Sequence, residues 1–148
     1  MRYYLDTTVL LHAASTTTAA TASLKIACQT LISAIGAGRL DGVISTEVLQ
    51  ELLHTAAWRQ ARQVGLSLVE HARTLFPHPV VVTSQAVGRA ALLLREESRL
   101  NTRVALHAAL MAEGGLSDVI STDGEFGLIS GLRRWSPGDA VAMLRLGS

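Results

Sequence analysis

The chain has 148 residues, a hydrophobic fraction of 49% and a formal net charge of +1. That length suits one domain able to bury roughly 70% of its unfolded surface, and the Ala, Leu and Val bias excludes a disordered chain. So small a charge creates no global field to draw nucleic acid, and with Lys25 the sole lysine, arginine is the abundant phosphate-contacting cation.

Arg2 to Asp6 reads as a buried strand that stops at a carboxylate. Met1-Arg2 leads straight into it, and no apolar run reaches the ~18 residues of a membrane span, so a soluble cytoplasmic chain is expected. Thr8 to Ala13 fits a short helix, and Ser15 to Thr21 a loop or helix start. From Ala22 to Gly36, apolar residues at 24, 27, 28, 31, 32 and 35 follow the three-four spacing of an amphipathic helix, which Gly36 and Gly38 end. The single cysteine, Cys28, falls on this helix, reads as a small core residue and excludes an intrachain disulfide.

Val43-Ile44-Ser45 is a second strand. Thr46 can cap a helix that begins at Glu47 and carries Val48, Leu49, Leu52 and Leu53. Trp58 to Leu75 is helical in pattern, with an imperfection at Gly65. After Pro77 and Pro79, Val80-Val81-Val82 reads as a third strand, and Ser84 can cap a helix running to about Glu97. Thr102 to Glu113 is helical and stops at Gly114-Gly115. Val119-Ile120-Ser121 is a fourth strand with Asp123 beyond it, and Leu132 to Trp135 can supply a fifth. Alternation of short apolar strands with helices implies one α/β domain, 1–148. Its mostly parallel sheet of four or five strands is covered on both faces, as a three-layer α/β/α sandwich.

Ligands of such sheets collect beyond the carboxyl ends of the strands. Asp6 and Asp123 sit there, and either alone is an ordinary turn residue, but the pair points to a site. Glu47 and Glu51 are four apart and share a helix face. Glu47 lies in the first turn, where it can simply offset the helix dipole, so Glu51 is the better third acid. Gathered carboxylates repel one another and need a cation or raised pKa values. Oxygen-only ligands favour Mg2+ or Mn2+ over Zn2+.

Tyr4-Leu5-Asp6-Thr7-Thr8-Val9-Leu10, Val48-Leu49-Gln50-Glu51-Leu52-Leu53 and Val119-Ile120-Ser121-Thr122-Asp123-Gly124-Glu125-Phe126 resemble, in order, three motifs of PIN domains. Leu132 to Pro137 resembles the ending that follows in VapC toxins. The resemblance implies a Mg2+- or Mn2+-dependent endoribonuclease with Asp6, Glu51 and Asp123 as catalytic, metal-binding acids. It also implies an RNA substrate of the tRNA or rRNA class, a cognate antitoxin whose tail fills the groove, and a homodimer. The apolar faces of the helices from Ala22 to Gly36 and Trp58 to Leu75 exceed what one small sheet needs to cover, which agrees with a partner.

One position departs from that pattern. The helix motif reads Arg103-Val104-Ala105-Leu106-His107-Ala108-Ala109, and Val104 stands where the resemblance leads to a further acid. Read locally, Val104 is an ordinary core valine; against the resemblance the chain is either a substituted, less active form or a natural member with a weakened site, and in either case metal affinity and cleavage should be reduced. Thr7, Ser121, Glu125, Arg103 and His107 are candidates for contacts around the metal or with substrate, although a histidine on an apolar helix face is more often a packing residue. His12 and His54 carry little weight, and Trp58 and Trp135 read as packing residues. Arg95, Arg99, Arg103 and Arg133-Arg134 fit RNA phosphates or salt bridges to Glu96 and Glu97 about equally. Asp6-Thr7-Thr8 lacks the second carboxylate of a haloacid-dehalogenase phosphatase, and no late lysine supports a response-regulator receiver. The remaining rival is a catalytically silent PIN-like domain that binds RNA or an antitoxin without cutting.

Overall fold

The computed structural model describes residues 1–15, 21–57 and 62–147. In chain order the elements are β1 (Arg2–Leu5), α1 (Thr7–Ala14), α2 (Ala22–Gly36), β2 (Asp41–Val43), α3 (Thr46–Thr55) and α4 (Arg62–Leu75). There follow α5 (Ser84–Glu96), α6 (Thr102–Glu113), β3 (Asp118–Ile120), β4 (Arg133–Trp135) and α7 (Pro137–Leu146), with a 3-10 turn at Gly124–Leu128 between the last two strands.

The four strands are all parallel, in the order β2-β1-β3-β4. β1 is central because Tyr3, Tyr4 and Leu5 are all buried, and burial of apolar side chains of this size contributes roughly 1.5–3 kcal/mol each. Successive side chains of a strand point to opposite faces. Tyr3 accordingly donates to Met143 Sδ on α7 at 2.9 Å, whereas Tyr4 meets His107 Nδ1 on α6 at 2.5 Å. Helices α6 and α7 therefore cover opposite faces, the three-layer arrangement expected. Helices α1 and α2 pack together and α2 meets α7, while α5 packs on α6 and α4 on α3. Beyond the strands, the Asp6 N–H donates to the Ile120 carbonyl at 3.1 Å, so Asp6 and Ser121 leave the sheet side by side.

Helix α6 is the most enclosed helix. Val104, Ala105, His107, Ala108, Ala109, Leu110 and Met111 are all buried, and the small alanines allow close approach. Its start is fixed by Asn101, whose side chain accepts from the Val104 N–H at 2.8 Å. Glu125, in the 3-10 turn, accepts from both the Asn101 N–H and its amide, at 2.9 and 2.5 Å. The turn after β3 thus holds the helix that carries Arg103 and His107. At the other helix pair, buried Gly65 lets α4 lie against the end of α3: a Cβ there would stand 2.5 Å from the Ala56 backbone nitrogen. Helices α1, α2 and α4 enclose a groove lined by Leu10, Ile32, Leu68 and Leu75 with Gln29 and His71.

Several boundaries differ from the sequence expectations. β2 spans Asp41–Val43, and Ser45, not Thr46, caps α3 by accepting from the Val48 N–H. Thr83 rather than Ser84 caps α5. Val80-Val81-Val82 is not a strand of the sheet; Val80 makes one parallel bridge to Ser45. The chain turns into α3 at Thr46, so the strand partner ends there, and the Val82 N–H donates to the Thr46 hydroxyl at 3.0 Å. The segment Leu132 to Trp135 does join, as β4, making the sheet four-stranded. Helix α7, capped by Ser136 with Pro137 at its first position, was not anticipated. Trp58, and most of the Ser15 to Thr21 run, lie outside the described residues. Among the described residues no helix is long and apolar enough to cross a membrane.

Candidate functional site

Asp6 follows β1 directly and is fully buried, with the Ser121 hydroxyl donating to it at 2.6 Å and the Thr8 hydroxyl at 3.1 Å. Ser121 follows β3, the strand beside β1, and also accepts from the Asp123 N–H at 2.9 Å. Asp123 in turn accepts from the Glu125 N–H at 2.9 Å, which starts the 3-10 turn. The two strand-end aspartates are therefore locked at one edge of the sheet through a single serine. Arg134 adds a bond to the Ser121 carbonyl at 2.8 Å.

Glu51 reaches the same edge from α3. His107 Nε2 lies 2.5 Å from Glu51 Oε1 and 3.9 Å from Asp6 Oδ1. The opposite ring nitrogen, Nδ1, lies 2.5 Å from the Tyr4 hydroxyl, itself 2.7 Å from Ser45 Oγ. Ser45, Tyr4 and His107 thus form a buried polar chain that ends on Glu51. Burial acts to raise the Glu51 carboxyl, but the His107 hydrogen bond and charge, together with Thr7 and Arg103, hold it below the usual range. Glu47, on the same helix face, is pushed up by burial and then by Glu51. Burial pushes the Tyr4 hydroxyl well above its ordinary value, against the lowering effect of the Ser45 hydrogen bond.

Arg103 lies across the acids. It donates to Asp6 through Nη2 and to Glu51 through Nε at 2.9 Å, and its Nη1 stands 3.9 Å from Asp123. Burial works against the guanidinium, but the charges of Asp6 and then Glu51 more than offset it. Formally, three carboxylates face one guanidinium, so the cluster calls for further positive charge. One donor atom each from Asp6, Glu51 and His107 lie within 4.8 Å of one another, a spacing that fits a metal ion. The Thr7 hydroxyl is buried without a hydrogen bond of full geometry, although it lies close enough to Glu51 to stabilise that carboxylate. A divalent cation, with its water, suits such a group: it supplies the missing charge and a partner for the hydroxyl.

The structure thus brings together Asp6, Glu51, Asp123, Thr7, Ser121, Arg103 and His107. Glu125 turns instead to Asn101 and acts on the cluster only through the start of α6. Val104 is fully buried in the core, one turn before His107 on α6. Among the arginines, Arg99 pairs with Glu97 in solvent, pulling that carboxyl down to about 2, and Arg133 stacks over Trp135 at 4.3 Å. Trp135 packs edge-on against Tyr3 and donates to Asp118, a packing role as expected. His54 lies exposed in the last turn of α3 and His12 in the last turn of α1, neither within the hydrogen-bonded cluster. Sequence reasoning passed over Tyr4, Ser45 and Thr8. The available signal was a tyrosine inside an apolar strand two residues before the aspartate, since a buried phenol needs a partner.

Comparison with known proteins agrees with this geometry. The PIN domain family model matches residues 3–132. The chain is 29% identical over 143 residues to Ribonuclease VapC7 of Mycobacterium tuberculosis, covering 96% of this chain and 95% of that protein. Its fold is similar to that of VapBC2 from Rickettsia felis, solved bound to a DNA fragment from its promoter. The TM-score is 0.70 at 14% identity, over 92% of this chain and 98% of that one. It is also similar to VapBC-5 from Mycobacterium tuberculosis, a member of the VapBC family of toxin-antitoxin systems. There the TM-score is 0.59 at 17% identity, over 91% of this chain and 98% of the other. The chain therefore belongs to the PIN domain family, and its likeness to VapC proteins runs over nearly its whole length.

Proposed function

We propose that residues 1–148 work as one domain, the metal-dependent endoribonuclease toxin of a VapBC-type toxin–antitoxin pair, acting in the cytoplasm on RNA of the tRNA or rRNA class. The observation that carries this reading is the convergence of Asp6, Glu51 and Asp123 on one edge of a parallel sheet, in a PIN-family chain similar to a ribonuclease. Mg2+ or Mn2+ held by these acids would orient a water, lower its pKa and offset charge building on the scissile phosphate. The protein's own part is orientation. Ser121 and Thr8 fix Asp6, His107 fixes Glu51, and the Ser121–Asp123 contact keeps the third acid in step. Arg103, once drawn off the acids, has the planar fork that pairs with phosphate oxygens.

Val104 is a valine at the place of an expected acid, so the proposal includes weakened metal binding and cleavage. A second reading, a silent PIN-like domain that binds RNA or an antitoxin without cutting, is favoured by one observation: Arg103 already satisfies Asp6 and Glu51. The cognate antitoxin is assigned to the groove of α1, α2 and α4, since the structural neighbours include VapBC assemblies and the groove is largely apolar. Exposed Val87 and Leu92 on α5 offer a second apolar surface for a homodimer. The test is incubation of the purified chain with total RNA in Mg2+, Mn2+ or chelator. Discrete fragments that need metal and vanish in Asp6→Asn support the toxin reading. Tight RNA or antitoxin binding with no cleavage under any of these conditions favours the silent one.

A further inference from the structure

We propose that His107 is itself a metal ligand, and that Asp6, Glu51 and His107 form a mixed oxygen–nitrogen site selecting a first-row transition ion over Mg2+. This rests on the reading of the cluster as a metal centre and goes beyond it by adding a ligand and changing the ion. With valine at 104, the oxygen donors are one fewer. The same helix supplies His107 three residues later, on the same face as Val104. Its Nε2 already stands between Glu51 at 2.5 Å and Asp6 at 3.9 Å.

The buried chain behind the ring suits ligation. Without metal, the Tyr4 O–H can donate to Nδ1 while Nε2–H donates to Glu51. For Nε2 to offer its lone pair, the ring takes its other neutral tautomer, with Nδ1–H donating to the Tyr4 oxygen. Tyr4 then turns its proton to Ser45 Oγ, 2.7 Å away, an oxygen that also accepts from the Val48 N–H and has two lone pairs. No net proton is gained or lost. Such an outer hydrogen bond on the far ring nitrogen orients histidine ligands and fixes their tautomer. The Thr7 hydroxyl, buried beside Glu51 without a hydrogen bond of full geometry, offers the site one further polar contact.

Arg103 is then the rival cation. Its side chain is 32% exposed, against 0% for Asp6 and His107, so it can swing to solvent while the ligands stay fixed. Imidazole nitrogen is a poor ligand for Mg2+, which demands an octahedron of oxygens, and a good one for Co2+ or Zn2+, with Mn2+ between.

The experiment titrates Mg2+, Mn2+ and Co2+ separately into the metal-free chain, following melting temperature, and records pulsed EPR of the Mn2+-loaded protein. Co2+ should half-saturate at a concentration at least about tenfold below Mg2+, and the Mn2+ signal should couple to a histidine nitrogen. His107→Gln should lose that coupling and about 10- to 100-fold in Co2+ affinity, with Mg2+ affinity little changed. If the variant does not fold, the wild-type nitrogen coupling decides alone. Arg103→Gln should tighten binding of all three ions, and unchanged affinity would remove Arg103 as competitor. Equal affinity for Mg2+ and Co2+ without nitrogen coupling overturns the role of His107 but leaves an oxygen-only metal site standing. No stabilisation by any of the three ions at millimolar concentration overturns both.

Discussion

Two regions of the molecule are built on opposite principles. The carboxyl edge of the sheet concentrates charge: buried Asp6 and His107, with Glu51, Asp123 and Arg103, are cross-linked by hydrogen bonds from four separate elements. The groove between α1, α2 and α4 is lined chiefly by aliphatic side chains such as Ile32 and Leu68. The charged edge is fixed inside the fold and, on the reading proposed above, would exchange Arg103 for a metal ion. The apolar groove gains only by being covered, because apolar area removed from water is where its free energy lies. Chemistry and partner binding should therefore be separable by substitution.

The largest effect should come from the charged edge. Glu51→Gln removes a ligand and the anchor of both His107 and Arg103. Metal-dependent RNA cleavage should fall by at least about 100-fold, with antitoxin capture retained; loss of both together would join the regions that the comparison separates. Next is Gly65→Ala, which places a methyl against the Ala56 backbone where α4 meets α3. It should cost roughly 1–3 kcal/mol of stability in denaturant unfolding, and an unchanged midpoint would mean the two helices are not in this contact. In the groove, Leu68→Glu should weaken antitoxin binding about tenfold, or ~1.4 kcal/mol, in a titration, without altering cleavage by the free chain.

The smallest effect at neutral pH concerns the inner side of α2, a wall of the groove. Burial pushes the Cys28 thiol up to about 11, and the residue is fully enclosed. At pH 8 it should resist thiol reagents until the chain unfolds. Because its folded pKa exceeds the ordinary thiol value, stability is unaffected below that value. It then declines as pH rises towards the folded pKa, by about 1.4 kcal/mol per unit. Cys28→Ala should remove that alkaline slope; rapid labelling of the native protein would place Cys28 at the surface.

The same contrast explains what the sequence made legible. Asp6 and Asp123 stood out because each follows a short apolar strand, and a parallel sheet puts all such ends on one edge. Glu51 stood out as an acid among apolar helix neighbours. The Ser45–Tyr4–His107 chain did not, because its contacts join residues 41 and 103 positions apart and depend on the order of strands. Val80-Val81-Val82 misled because a β-branched run describes a preference, whereas a strand needs a neighbour, and the neighbour becomes α3 at Thr46. Helix α7 carried a readable Ser136-Pro137 start, but its place against α2 is a tertiary fact. The groove was foreshadowed only as surplus apolar faces on two helices.

The most direct test of the central claim, that the carboxyl edge is a metal-dependent nuclease centre short of one acid, is Val104→Asp. Melting temperature is followed across a Mg2+ titration of both proteins, with RNA cleavage assayed alongside. An added carboxylate on the His107 face of α6 should repel the clustered acids, so the variant should melt lower without metal. It should recover as Mg2+ fills the site, because a ligand that binds only the folded state stabilises it by mass action. Cleavage should rise above that of the parent chain. A variant that melts lower at every Mg2+ concentration and cuts no RNA would contradict the account and leave Val104 as an ordinary core residue.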